Sequence, residues 1–519
     1  MSVKILWASQ TGNCEDISLR LSKDCTAQGI PNTRHCLQEL GSTLSLNKND
    51  LLIFVVSSTG DGELPDNGVK FYKWIRSQTG SILSGIRYTI LGLGDSNYST
   101  YQGGPKTIET HLKQLGATEF FLRGEADEQM GLENGIEPWI DSLWDNLKYE
   151  YEQLKGKSVV DIEIQAEDTV IVHSKICEKR VLSEKNTLKA IVELKLSIDQ
   201  NYVPGTAILV YPQNSVDKVG RILEYANLDK AISITLESVP KSLTHRCKST
   251  VSLLEYFTKF VDILSPLKSS TALYLSEHLQ DPEEKDDLVS YIDVDKLSMP
   301  AAYTLECILS QYKSWRFNLI PELLEHLPAL AGRNYSISSS PISSPNAITI
   351  IFTVTGLCTR YLNTIQNFNN HEIQFSLPVN EGSFWQGAKS ADRILIIATG
   401  TGISPFKGIL EHLKLTHPKP VWVIYGCRNS VRGTIEQNFD HIYFEEISEL
   451  VKPDGKISIA NSRSPIGPKH VQDIIEEQAE EIFSWSETAL LCGSFKTKEI
   501  LAKLTEINPN FKVFTEEWE

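Results

Sequence analysis

Mostly apolar runs extend from Val3 to Ala8, interrupted only by Lys4, from Leu51 to Val56 without a break, and from Tyr88 to Leu91, interrupted only by Thr89. Near-continuous rather than alternating runs of this length suit strands buried on both faces of a parallel sheet. Each run empties into a small polar loop: Ser9-Gln10-Thr11-Gly12-Asn13, then Ser57-Ser58-Thr59-Gly60-Asp61-Gly62-Glu63-Leu64-Pro65-Asp66-Asn67, then Gly92-Leu93-Gly94-Asp95-Ser96-Asn97-Tyr98. A helix is predicted from about Glu15. After Trp144 the helical pattern frays, which places a linker at about 151–168. β-Branched alternation begins at Val170 and continues through Ile191-Val192-Glu193-Leu194-Lys195-Leu196, the period of half-buried antiparallel strands. Residues from about 215 to 325 read as mostly helical, broken at Pro266, Pro282 and Pro300. Strand pattern returns from Ala347 to Val354, and Ser383-Phe384-Trp385 closes that region. Buried runs reappear at Ile394 to Ala398, at Val421 to Tyr425 and at Leu490-Leu491-Cys492.

The chain has 519 residues, enough for about three domains. Its net charge of −16 argues against nucleic acid and for a basic surface on a protein partner. Acid is concentrated at residues 121–155, where nine Asp/Glu face three Lys/Arg, the make-up of a docking face or of a solvated helix. The nine cysteines contain no CxxC pair, so neither a disulfide framework nor a zinc site is expected. No apolar run reaches 18 residues, so no membrane span is expected, and the short apolar N-terminus reads as a buried strand rather than a secretion signal. Reduced thiols without a leader predict a cytoplasmic protein.

The polar loops carry the candidate chemistry. A strand, a small polar loop and a helix start make an anion cradle, in which hydroxyls and free backbone N–H groups converge on a phosphate. A nucleoside-triphosphate loop is excluded because GxxxxGK[ST] is absent. Three such loops in succession are what a doubly wound sheet needs to hold one ligand at its strand ends. Farther along, Arg333-Asn334-Tyr335-Ser336 joins a fork of donors suited to a pyrophosphate with a flat ring and a hydroxyl. Thr399-Gly400-Thr401-Gly402-Ile403-Ser404-Pro405-Phe406 follows a buried strand, and its glycines let backbone approach a pyrophosphate. Ser462 and Arg463, with the cation Lys469 close behind, suit a 2′-phosphate and hence NADPH over NADH, and His470 and Gln472 follow in the same stretch.

Together these stretches resemble the diflavin reductases over nearly the whole chain. The resemblance implies a multidomain α/β and β protein. A flavodoxin-like FMN domain would occupy 1–150 and a linker 151–168. An antiparallel FAD-binding β-barrel at 169–385 would carry the helical insertion at about 215–325, and a ferredoxin-reductase-type NADPH-binding α/β domain would fill 386–519. By matching position, Ser9, Gln10, Thr11, Gly12, Asn13 and Cys14 would hold the FMN phosphate. Ser57, Ser58, Thr59 and Gly60 would wrap the ring with Leu93, Gly94, Asp95, Asn97 and Tyr98. Tyr98 would stack on the ring, and Asp127 would lie near the third loop. Relatives often place a second stacking aromatic where this chain has Thr59, so one flavin face is expected to be less shielded.

In the same resemblance, Arg333, Asn334, Tyr335 and Ser336 hold FAD, followed by a second loop at Gly356-Leu357-Cys358-Thr359. Thr401 and the Ser462–Arg463 pair hold the coenzyme. Ser336, Cys492, Glu516 and Trp518 would line the hydride path, with Trp518 covering the FAD ring until nicotinamide displaces it. The cofactors implied are FMN, FAD and NADPH, with no metal. Cys492-Gly493-Ser494, where relatives usually have Cys-Gly-Asp, is similar to the members serving cytosolic iron–sulfur cluster assembly, whose acceptor is an iron–sulfur protein of anamorsin type. A reductase for cytochrome P450 or sulfite reductase is the alternative. A flavin-bearing scaffold that only binds is the contrasting reading, and the complete hydride set argues against it.

Overall fold

A computed structural model describes residues 3–10, 12–40, 44–59, 62–78, 80–98, 100–155, 160–162, 169–183, 190–239, 243, 246–247, 249–292, 299–365, 372–378, 381–428, 442–451, 454–463, 467–493 and 497–515. The chain forms two compact units. One comprises Met1–Ala166, Asp217–Leu254 and Asp262–Pro328; the other comprises Glu167–Val216, Glu255–Val261 and Ala329–Glu519.

In the first unit, strand Val3–Ala8 lies between Asn32–Cys36 and Leu51–Ser57, and Arg87–Gly94 pairs on the far side of Leu51–Ser57. Thr118–Glu119 and Gly124–Asp127 both add to the outer edge of Arg87–Gly94, and every pairing is parallel. The reason for the near-continuous apolar runs is visible in where the side chains go. Ile5, Trp7, Ile53 and Val55 enter a core with helices Asn13–Ala27 and Glu133–Leu154, while Leu6, Ala8, Phe54 and Val56 pack with Phe71 and Ile108 on the opposite face. Both faces are covered, so the sheet is doubly wound and flavodoxin-like. The helix expected to fray after Trp144 runs on to Leu154, because Leu147, Glu150 and Leu154 keep its buried stripe going. Val160–Ile162 then pairs antiparallel with Leu46–Lys48, inside the stretch expected to be linker. The helical pattern between 215 and 325 is present as short helices, including Val216–Tyr225, Ser269–Ser276, Pro282–Ser290, Leu305–Gln311 and Ile320–His326.

In the second unit, six strands run antiparallel in the order Arg333–Ser336, Ala207–Val210, Glu372–Pro378, Thr169–Val181, Ile191–Ser197, Ala347–Thr353. A bridge between Ile337 and Ile350 brings the two ends together into a nearly closed barrel. Its alternation is that of the sequence: Val192, Leu194 and Leu196 point into one core, with Glu193 and Lys195 between them half-buried. Ser383–Ser390 is a helix and not a last barrel segment, since Phe384, Trp385 and Ala388 share one buried face.

The remaining sheet of this unit is fully parallel, in the order Lys456–Asn461, Val421–Cys427, Ile394–Thr399, Thr488–Cys492, Lys512–Thr515. Leu395 and Ile397 face one core and Ile394, Ile396 and Ala398 the other. Trp422 is the bulkiest fully buried side chain here; its indole N–H donates to Ser458 Oγ at 3.1 Å, and Lys456 Nζ sits 4.0 Å from its ring centre. Trp422→Ala is therefore expected to cost about 3–5 kcal/mol, read as a lower urea midpoint with an unchanged slope.

Candidate functional site

The parallel sheet of the first unit delivers its loops to one end. Ala8 pairs with Val56, Ser57 with Leu93 and Gly94 with Asp127, so the loops after these strands emerge side by side. The strand order reverses direction between Val3–Ala8 and Leu51–Ser57, which is where an open sheet of this kind binds its ligand. Ser9 Oγ accepts the N–H of Gly12 at 2.8 Å and of Cys14 at 3.2 Å, curling the loop around its own hydroxyl. Gly12 takes φ +93°, a left-handed conformation that other residues adopt only at a cost, and as the N-cap of the helix that begins at Asn13 it brings no side chain of its own to the first turn. Backbone N–H groups at this helix start fit the phosphate end of FMN. Cys14 is fully buried beside Ser9 and Ser57; burial pushes its thiol up to about 12, so it stays protonated and acts as packing.

Ser58 Oγ accepts the Gly104 N–H at 3.2 Å, and Thr59 closes a tight turn with Glu63 through two backbone bonds of 2.9 Å. Asp95 Oδ1 accepts the Asn97 N–H at 2.8 Å. Asp127 Oδ1 accepts Ser96 N–H at 3.0 Å and Gln129 N–H at 3.1 Å, and these bonds, with the Ser96 hydroxyl foremost, hold its carboxyl below the usual carboxylate range. Asp127 thus organises the third loop and the turn beyond it. Tyr98 projects from that loop with 56% of its surface exposed, as a stacking platform must before a ring covers it.

In the second unit, Arg333 and Asn334 are exposed at a strand end, and the Arg333 guanidinium donates to the nearby Gly332 and Ala331 carbonyls at 2.9 and 3.5 Å. Tyr335 lies edge-on to Phe352, with ring centres 5.9 Å apart. Tyr335 and the buried Cys358 share a hydrogen bond; burial raises both, the thiol to about 11. Thr359 Oγ1 accepts the N–H groups of Thr355 at 2.9 Å and Gly356 at 3.0 Å, so its hydroxyl orders the loop that opens helix Leu357–Thr364. An outward guanidinium, a flanking phenol and a helix start fit a pyrophosphate carrying a flat ring.

The loop after Ile394–Thr399 touches two of the residues expected along the hydride path, Ser336 and Cys492. Ser404 Oγ donates to the Ser336 carbonyl at 3.1 Å. A Cβ on Gly402 would lie 2.5 Å from the Cys492 carbonyl oxygen and 2.6 Å from Gly493 Cα. One turn therefore touches both the Ser336 strand and the Cys492 strand, with Thr401 between. Pro405 stands in the first turn of helix Ser404–Thr416, as its fixed φ favours.

Ser462, Arg463, Lys469 and His470 are all exposed. Ser462 N–H donates to the Cys427 carbonyl at 3.0 Å and Arg463 N–H to the Arg428 carbonyl at 3.2 Å. Asp473 accepts the N–H groups of Lys469 and His470 at 2.8 and 2.9 Å, which hold its carboxyl low and pin that turn at the start of helix Val471–Glu477. Gln472 instead bonds Glu499 at 3.3 Å.

Thr11, Gly60, Glu516 and Trp518 lie outside the described residues. Several contributors escaped the sequence reading. Asn67, which accepts the Ser9 N–H at 2.9 Å, and Ser404 sit inside stretches already singled out. Arg428 holds the Arg463 backbone through its carbonyl, and Lys268 reaches the first loop from far along the chain. The acidic stretch is partly spent on structure, with Glu150 bonding Arg87 at 2.9 Å and Glu137 paired with Arg20. Among the described residues no cluster suits a metal ion, and no helix is long and apolar enough to cross a membrane.

Comparison with known proteins matches three family models to the chain. The flavodoxin family model matches residues 5–139, the FAD binding domain 165–365 and the oxidoreductase NAD-binding domain 396–503. A bifunctional cytochrome P450/NADPH–P450 reductase of Bacillus cereus is 26% identical over 93% of this chain, which spans 48% of that longer protein. NADPH–cytochrome P450 reductases of Oryctolagus cuniculus and Drosophila melanogaster are each 24% identical over 93% of this chain and 79% of their own. Flavodoxin, FAD-binding and NAD-binding modules, in that order on one chain and built for FMN, FAD and NADPH, make this a protein of the diflavin reductase type.

Proposed function

We propose that the chain is an NADPH-dependent diflavin oxidoreductase that passes electrons through FAD and FMN to an iron–sulfur protein of anamorsin type in cytosolic iron–sulfur cluster assembly. The observation that supports the electron path most directly is the turn at 399–404, which packs on both the Ser336 and the Cys492 strand ends. The flavins supply what side chains lack, acceptance of a hydride and release of single electrons. The chain's own residues position and shield. Tyr335 and Arg333 seat the FAD, Ser336 offers it a hydroxyl, and Cys492 lines the nicotinamide side with its thiol. Glu516 and Trp518 are assigned to the same path, the carboxylate assisting and the ring covering FAD until coenzyme arrives. None forms a covalent bond with substrate. We assign the FMN module to 1–150, the FAD barrel with its helical insertion to 169–385 and the coenzyme module to 386–519.

Ser336→Ala is expected to slow NADPH-driven bleaching of FAD by roughly 10²-fold, the usual cost of one positioned donor, with both flavins retained. An unchanged bleaching rate would remove Ser336 from the path.

For the acceptor, the supporting feature is Cys492-Gly493-Ser494. A second reading, with cytochrome P450 as acceptor, is favoured by the names of the relatives. Stopped-flow mixing of the NADPH-reduced protein with an anamorsin-type iron–sulfur protein, a cytochrome P450 and a sulfite reductase haemoprotein separates them. Rapid oxidation by the iron–sulfur protein alone is expected; rapid oxidation by a haem protein in its place overturns the choice.

A further inference from the structure

The phosphate loop of the first unit has an unusual charge. Residues 9–16 contain no Lys or Arg, yet Glu15 and Asp16 stand in the first turn of the helix that the loop opens. Carboxylates are favourable at a helix start, but they repel a phosphate dianion brought to the same place. The cation comes from more than 250 residues away. Lys268 precedes helix Ser269–Ser276, and its Nζ lies 3.3 Å from the Gly12 carbonyl, 3.2 Å from Asp16 Oδ1 and 3.5 Å from Glu15 Oε2. Its stem lies against the loop, where a Cβ on Gly12 would fall 2.2 Å from Lys268 Cε. Ser270 Oγ donates to the other Asp16 oxygen at 3.0 Å. Arg34 also approaches Glu15, at 3.9 Å, so Asp16 is the carboxylate committed to this segment. The Lys268 side chain keeps only 14% of its exposure. Burial alone would lower its pKa, but Glu15 and Asp16 outweigh burial and hold it above the ordinary value, so the group is an ammonium at neutral pH.

We propose that Lys268 is the cation of the FMN phosphate site, supplied by the helical segment 262–328, so that FMN retention and packing of that segment on the phosphate loop are thermodynamically linked. The inference rests on the assignment of the loop to FMN. Linkage requires reciprocity: FMN tightens the packing by the same factor by which the packing tightens FMN. The lysine touches the loop at Gly12, so a side chain at 12 would both strain the left-handed turn and displace the end of Lys268.

The test uses the full chain with both flavins, with FMN stripped and re-bound and FAD content as the internal control. Lys268→Met is expected to weaken FMN about tenfold, the loss of one charge-assisted hydrogen bond, while riboflavin, which lacks the phosphate, binds as to the parent. Lys268→Arg should restore most of the FMN affinity. Asp16→Asn should leave FMN binding equal or tighter, since it removes a repelling charge and leaves the ammonium. FMN should slow amide exchange in 269–276 in the parent and not in Lys268→Met. Equal weakening of FMN and riboflavin, or Asp16→Asn weakening FMN as Lys268→Met does, would make the lysine a packing contact and overturn the proposal. A parent chain that binds no FMN would instead overturn the assignment of the loop.

Discussion

Gly402→Val is expected to lower the rate of FAD reduction by NADPH by about 10²-fold or more, with FMN and FAD still bound. The space for a side chain does not exist there: the three nearest atoms to a Cβ are the Cys492 carbonyl oxygen, Gly493 Cα and the Cys492 carbonyl carbon, at 2.5, 2.6 and 2.7 Å. All belong to backbone, which cannot swing aside as a flexible side chain can. Relief must come from moving the turn at 399–404 away from the end of strand Thr488–Cys492, and a displacement near 1 Å costs roughly 10²-fold when reacting groups must be aligned. The same movement pulls on Ser336 through the Ser404 bond. Anaerobic stopped-flow loss of flavin absorbance reads the rate directly. A rate within tenfold of the parent would mean that this turn does not set the hydride geometry.

Arg463→Ala is expected to raise KM for NADPH by about 10- to 100-fold and to leave NADH kinetics unchanged. A charge-assisted hydrogen bond contributes about 1.5–3 kcal/mol, and each 1.4 kcal/mol is tenfold. The backbone at Arg463 is fixed from two sides, by the Asn461 side chain and by the Arg428 carbonyl, both at 3.2 Å, while the side chain is exposed. Removing the guanidinium therefore takes away charge without disturbing the turn. Coenzyme titration with NADPH and NADH in parallel separates phosphate recognition from a general defect. Equal losses for both coenzymes would remove Arg463 from the 2′-phosphate site.

Whether a segment could be read in advance followed from how local its determinants are. The buried strands of both parallel sheets were legible because a strand covered on two faces is apolar at nearly every position, as at Ile5, Leu6, Ile53 and Phe54, with Lys4 accommodated by its bond to Asp50. The barrel strand Ile191–Ser197 was legible from its strict alternation. The end of helix Glu133–Leu154 was not, since Lys148, Tyr149 and Glu152 dilute the pattern while Leu147, Glu150 and Leu154 keep it buried. Burial of Glu150 is made tolerable by Arg87, a partner remote in sequence.

The candidate loops divide the same way. Residue types and spacing were enough to mark where strands end in Gly, Ser, Thr and Asn, because the backbone there must turn sharply and offer free donors to a phosphate. Resemblance to a family then tied those loops to particular cofactors. Local pattern could not say which loops meet. That Ser404 ties to Ser336, that Gly402 closes on Cys492 and that Lys268 lies on Gly12 are contacts between residues 68, 90 and 256 positions apart. Such pairings carry no short-range signature. They exist only because packing of sheets and helices spends the entropy of long loops to bring those groups within reach.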